Sequence, residues 1–179
     1  TSSEANVLWN WKAGTTSVPS GGSITPSAVS INVTSGFGIY KYQGNGSSGS
    51  TIAHGLGTTP KVFMCKRLSN VDALNFYHGD VGNTSTMRLD RNNTPVASST
   101  YYNNTSPTST LITLGNETGF NENGDDYVMY VFCERKGYSK FGIYTGNGNV
   151  DGSTIFTGMK PAWILTKCTT TNRNWQIRD

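Results

Sequence analysis

The sequence predicts an all-β fold, an antiparallel β-sandwich of jelly-roll or lectin-like type built from tandem repeat units, and three observations lead there. The 179 residues are 35% hydrophobic and 14% charged, with 21 Gly and much Ser, Thr and Asn, which suits short strands joined by many turns. The apolar runs are brief and bounded by Gly, Pro and Asn, and none approaches the roughly eighteen apolar residues of a membrane span. Finally, GFGIYKYQGNGSSGSTIAHGLGTTPKVFMCK, residues 36–66, returns in altered form as FGIYTGNGNVDGSTIFTGMKPAWILTK, residues 141–167. A repeat at long period describes architecture before it describes chemistry.

The two copies align residue by residue. Tyr42, Gly44, Asn45 and Gly46 match Tyr144, Gly146, Asn147 and Gly148; Ser50, Thr51 and Ile52 match Ser153, Thr154 and Ile155. Further on, Gly55 matches Gly158, Pro60 matches Pro161 and Lys66 matches Lys167. A second likeness joins Val7-Leu8-Trp9-Asn10-Trp11-Lys12 to Val128-Met129-Tyr130-Val131-Phe132-Cys133. The chain therefore divides into the tail of a preceding unit (1–13), a connector (14–35), one complete unit (36–138) and the head of a following unit (139–179). A unit of roughly a hundred residues is an ordinary domain size.

Taken in order, Val7, Trp9 and Trp11 share one face of a first strand, and the matching Tyr130 and Phe132 mark that face as core rather than as a sugar-stacking platform. The connector holds two Pro and several Gly and Ser. Phe37 to Tyr42 forms the next strand and leaves through Gly44-Asn45-Gly46, whose glycines supply positive φ for a turn. Gly44 to Gly49 spells GxGxxG, but no helix can start in the STIAHGLGTTP that follows, so dinucleotide binding is not expected. His54 is replaced by Thr157 in the second copy and has no ligating neighbours in sequence, which makes it a structural polar residue. After the turn at Gly55 to Pro60, Lys61 to Arg67 reads as a central strand buried on both faces. Asn75 to His78 closes the head of the unit and matches Asn174 to Ile177.

Residues 79–107 form a polar stretch. In it Tyr101, Tyr102, Asn103 and Asn104 are the candidate surface-contact loop, since exposed Tyr and Asn give broad contact with adaptable hydrogen bonding. Thr108 to Leu114 and Tyr127 to Cys133 are strands, and the acidic turn 121–126 between them has Tyr130 where a calcium loop needs its bidentate Glu. Sequons at Asn32, Asn83 and Asn116 follow from composition. Cys65, Cys133 and Cys168 share no metal-ligand spacing and read as buried, inert thiols suited to a reducing site of assembly. The formal charge of +3 is scattered, which indicates neither nucleic acid nor a membrane surface. Residues 1–20 lack a signal-peptide pattern, so the chain is expected to be soluble unless targeting information lies outside this stretch. No GxSxG, HExxH or Walker loop occurs, and no enzyme, metal or cofactor is expected.

These motifs together resemble the repeat units of large virion and tail-fibre proteins of tailed bacteriophages, especially marine ones. The likeness lies in Tyr42-Gln43-Gly44-Asn45-Gly46, in Ala53-His54-Gly55-Leu56-Gly57 with Pro60-Lys61, in Asn103-Asn104-Thr105 with Pro107-Thr108, and in Tyr138-Ser139-Lys140-Phe141-Gly142. It also takes in Trp9-Asn10-Trp11-Lys12-Ala13-Gly14 and covers nearly the whole chain. The resemblance implies a structural or adhesive particle component that works by display and assembly, at a tail fibre or as a shell decoration. Its partners would be other virion proteins and further copies of itself, with a trimer the default for fibres. A host-surface glycan is the implied receptor, and a carbohydrate-binding module or polysaccharide depolymerase is the alternative. The apolar head from residue 139 onward and the tail at 1–13 are expected to complete one another by strand addition, within one subunit or between neighbours.

Overall fold

The computed structural model describes residues 10–179. Alternating apolar and polar residues build a seven-stranded antiparallel sheet. In chain order the strands are β1 (Ala28–Asn32), β2 (Phe37–Gln43), β3 (Ser50–Ala53), β4 (Val62–Arg67), β5 (Asn75–His78), β6 (Ser85–Arg88), β7 (Val96–Ala97) and β8 (Leu111–Leu114). A single helical turn α1 (Thr118–Asn121), β9 (Asp126–Phe132), β10 (Ile164–Thr166) and β11 (Gln176–Arg178) complete the set. The large sheet runs β1-β2-β9-β4-β5-β6-β7, which puts β4 at its centre as its unbroken apolar run predicts. β3 pairs with β8 and β10 with β11, each as a separate two-stranded ribbon.

The two faces of the large sheet bury different things. On the inner face Tyr40, Tyr42, Phe63, Cys65, Tyr77, Tyr127, Met129 and Val131 meet Ile52, Ile112 and Leu114 of the β3–β8 ribbon, with Leu56 and Tyr102 from loops and Phe120 from α1, in one core. Tyr42 stacks on Tyr127 with ring centroids 5.2 Å apart, and Phe63 stacks on Tyr77 at 4.6 Å. Gly38 is required beneath Tyr40, because a Cβ there would meet the Tyr40 hydroxyl at 2.3 Å. On the outer face Val62, Phe76 and Met87 form a second apolar patch, against which Met64, Phe132, Phe141, Leu165 and Trp175 pack. The C-terminal stretch therefore covers the back of the sheet rather than trailing away from it.

Several expectations change. The segment 14–35, which its Pro, Gly and Ser content marks as a connector, instead contributes β1 and the buried Ile24, Val29 and Ile31, and Ile24 N donates to Thr51 O at 2.9 Å. The polar stretch 79–107 contains β6 and β7, which extend the sheet edge. The expected first strand lies mostly outside the described residues, Val7 and Trp9 among them. Trp11, which is described, is not in a strand. Its ring sits over the outer face, 6.2 Å from Phe37, 5.7 Å from Phe132 and 5.9 Å from Trp163.

Candidate functional site

The repeated Gly-Asn-Gly turn lies at the surface with its backbone amides tied down by the protein. Gly44 N donates to Asp125 O at 2.9 Å, Asn45 N to Asn121 Oδ1 at 2.9 Å and Gly46 N to Asn121 O at 2.9 Å. Ser47 N donates to Asn45 Oδ1 and Gly49 N to Leu114 O. A phosphate cradle presents such amides free to an anion. Here each of the five already has a protein acceptor, so the GxGxxG string is a structural clasp. Asn121 is its hub: fully buried, its Nδ2 donates to Ser47 O at 2.9 Å and Gly115 O at 3.1 Å. Sequence reasoning missed this residue, and only its place beside a turn that must satisfy buried backbone groups could have signalled it.

His54 is equally committed. It is fully buried; Leu56 N donates to its Nδ1 at 3.2 Å, and its Nε2 lies 3.2 Å from Thr108 O, which fixes the neutral Nε2–H tautomer. The Tyr40 hydroxyl donates to the His54 carbonyl. Burial lowers the imidazole pKa, partly opposed by the Thr108 carbonyl. In the second copy Thr157 takes over the same job, its Oγ1 accepting from Met159 N at 3.5 Å.

Of the candidate contact loop, Tyr101 and Tyr102 are core residues rather than surface ones. Tyr102 OH shares a 2.7 Å hydrogen bond with Thr86 Oγ1, and Arg88 Nη2 donates to Tyr101 OH at 3.2 Å. Only Asn103 and Asn104 are exposed, both with φ of 50°, a left-handed turn that Asn tolerates. The acidic turn is neutralised from within, because Arg67 pairs with Asp125 and Asp72, and Lys41 with Asp126 at 3.6 Å. Among the described residues no group of three or more His, Cys, Asp or Glu could hold a metal ion. No described helix is long and apolar enough to cross a membrane.

Two of the thiols are buried, as expected. Burial pushes Cys65, 3.2 Å from Tyr42 OH, up to about 12, and Cys133, donating to Thr58 O, up to about 11. Cys168 departs from that reading. It is partly exposed, and the hydroxyls of Thr171 and Thr170 hold its pKa down to about 6.

The second copy keeps the first copy's local geometry without its packing. Gly46 and Gly148 have φ of 70° and 72°, Gly49 and Gly152 84° and 58°, Gly55 and Gly158 65° and 73°. Asn147 Oδ1 accepts from Asn149 N as Asn45 Oδ1 does from Ser47 N. Pro60 is buried ahead of β4, whereas Pro161 is half-buried ahead of β10. The hairpin register is also shared: Thr166 pairs with Gln176, Leu165 with Ile177 and Ile164 with Arg178, where Cys65 pairs with Asn75, Met64 with Phe76 and Phe63 with Tyr77. Every pair is displaced by the same number of residues, so Gln176, not Asn174, is the counterpart of Asn75. Yet residues 141–163 form no strand, and Tyr144, Ile155 and Phe156 are 57%, 52% and 89% exposed where Tyr42, Ile52 and Ala53 are core.

A shallow trough of about 420 Å³ lies where the C-terminal hairpin meets the β6–β7 loop, lined by Leu89, Asp90, Arg91, Asn92, Asn174 and Trp175. Trp175, one of the lining residues, donates to Arg88 O at 2.8 Å and leans on Phe76. No curated protein and no solved structure matches the chain. The family described as a domain of unknown function, DUF7483, matches residues 1–179, and the chain belongs to that family.

Proposed function

We propose that this chain is a structural and adhesive component of a tailed-phage particle, a tail fibre or another surface protein, built of tandem sandwich units. The observation that carries this reading is the second copy. Its turns repeat those of the first unit, while side chains at core-equivalent positions stand in solvent. Such a surface is suited to assembly, because apolar side chains held in preformed turns gain free energy when a neighbour covers them. The buried histidine, the two buried cysteines and the Gly-Asn-Gly turn are occupied in holding the unit together, which fits display rather than turnover.

The reading is tested by locating the polypeptide in intact particles with a specific antibody and electron microscopy. Labelling at the tail or shell is the expected outcome, tail against shell separating a fibre from a decoration protein. Particles that carry none of it overturn the reading. Homo-oligomerisation, with a trimer expected, is checked by analytical ultracentrifugation. One observation favours the glycan-receptor version: the trough offers an indole beside planar amides and both signs of charge, groups that stack on and hydrogen-bond to sugars. A glycan array and a digest of host polysaccharide separate binding from cleavage.

A further inference from the structure

Three Asn-Gly pairs stand at the surface, Asn45-Gly46, Asn123-Gly124 and Asn147-Gly148, and exposure does not separate them. The pair is chemically special because a glycine carries no Cβ beside its nitrogen, so that nitrogen can swing onto the carboxamide of the Asn before it. What separates the three is whether the nitrogen is occupied. Gly46 N donates to Asn121 O at 2.9 Å and Gly124 N to Gly44 O at 3.0 Å. Among the described residues, Gly148 N has no acceptor. The neighbouring Asp151-Gly152 pair is tied as well, Gly152 N donating to Asn149 O at 3.0 Å.

The side chains differ in the same sense. Asn45 Oδ1 accepts from Ser47 N at 3.0 Å, Ser50 Oγ at 2.8 Å and Asn121 Nδ2 at 3.2 Å, which pins its carboxamide. Of these contacts Asn147 keeps the counterpart of the first, its Oδ1 accepting from Asn149 N at 3.0 Å, and its Nδ2 donates to Gly152 O at 2.8 Å across an exposed turn. A Cβ on Gly46 would lie 3.2 Å from Asn123 Cβ, while one on Gly148 would meet nothing within 4 Å. The second turn has room to rotate that the first lacks.

We propose that Asn147 is a site of spontaneous modification, at which the Gly148 amide nitrogen closes on the Asn147 carboxamide in the folded protein while Asn45 and Asn123 keep theirs. Gly148 N forms a bond to Asn147 Cγ, the Cγ–Nδ2 bond breaks, and Nδ2 leaves as ammonia with the proton that Gly148 N gives up. Water then opens the cyclic imide at either carbonyl, leaving aspartate or isoaspartate at position 147 without oxidant or reductant. The Asn149 N–H already polarises Oδ1 and supports the charge that gathers on it during attack. At Gly46 and Gly124 the same attack must first break a backbone hydrogen bond, and at Gly46 it must also open the Asn121 clasp. The change is one-way: the turn ahead of Ile155 and Phe156 gains a carboxylate, and in the isoaspartate a backbone methylene, and loses the donation to Gly152 O. The inference goes beyond the proposed function and does not depend on it.

The test uses the full chain, incubated folded in mildly alkaline buffer and in parallel in guanidinium chloride, then cut with trypsin, which places the three Asn-Gly pairs on different peptides. In the folded protein the amide-to-acid mass shift should appear at Asn147 at least about tenfold faster than at Asn45 and Asn123, because those two react only from locally opened states. In guanidinium chloride the three rates should converge. Isoaspartate must be among the products at position 147, since direct hydrolysis of the side chain yields aspartate alone. Retention of the Asn147 amide in the folded chain, equal rates at the three pairs while folded, an unchanged ranking in guanidinium chloride, or aspartate without isoaspartate each overturn the proposal. Any of these failures leaves the particle location standing.

Discussion

At His54, a neutral imidazole accepts from Leu56 N and donates to Thr108 O inside a dry core. Because burial lowers its pKa below the ordinary 6.5, the unfolded chain binds a proton more readily than the folded one as pH falls through that value. Stability is therefore flat above about 6.5 and declines on acidification below it, by at most about 1.4 kcal/mol per pH unit for each such group. His78 is lowered as well, chiefly by burial, and adds in the same direction. Urea midpoints at pH 7.5, 6.5 and 5.5 check this, and His54→Gln should flatten the curve partway while costing about 1–3 kcal/mol for the buried partners left unpaired. Cys168 yields the opposite kind of prediction. A half-exposed thiol held near 6 is largely thiolate at neutral pH, so one equivalent of iodoacetamide should react quickly in the folded protein and the other two thiols only after unfolding. Cys168→Ser should abolish the fast phase.

The Gly-Asn-Gly turn allows the two copies to be compared at the scale of an element. In the first copy a Cβ on Gly44 would lie 2.3 Å from Glu122 O, a backbone atom that cannot yield without opening the Asn121 clasp. At Gly146 a Cβ would meet nothing within 4 Å. Gly44→Ala should therefore cost about 2–4 kcal/mol in a denaturant titration, and Gly146→Ala less than about 0.5 kcal/mol. Equal costs would mean that the second turn is clasped by a partner. Elements with clean alternation or a continuous apolar run were legible in the sequence: β2 and β9 lie close to where their period places them, and β4 and β5 close to their apolar and aromatic runs. β1 was hidden by the Pro and Gly before it, although Val29 and Ile31 alternate with Ser30 and Asn32 and face the core. Tyr101 and Tyr102 misled for a physical reason. Adjacent residues in a turn, unlike those in a strand, can both point inward, and the left-handed Asn103 and Asn104 make the chain reverse there. The equivalence of β11 with β5 was off because sequence likeness favoured an Asn-Trp match, whereas hydrogen-bond register, invisible in sequence, aligned Gln176 with Asn75.

Across the whole molecule, residues 24–133 bury their apolar side chains in one core, while the sequence-related stretch 141–163 leaves Tyr144, Ile155 and Phe156 in solvent. The difference is measurable at matched positions. Ile52 is fully buried between the two layers, and Ile52→Thr should cost about 2–4 kcal/mol through lost packing and a buried hydroxyl. Ile155→Thr together with Phe156→Ser removes side chains that touch solvent, and should leave the unfolding midpoint within about 0.5 kcal/mol of the parent. On the proposed assembly role, what the double substitution should change is association. Burial of two large apolar side chains by a neighbouring unit supplies about 1.5–3 kcal/mol each, so their loss should weaken self-association by roughly two to four orders of magnitude. Sedimentation of parent and double variant over a concentration series measures this directly. If the double variant unfolds as readily as Ile52→Thr, the second copy is already packed within the chain. If it associates like the parent, these side chains are not the contact.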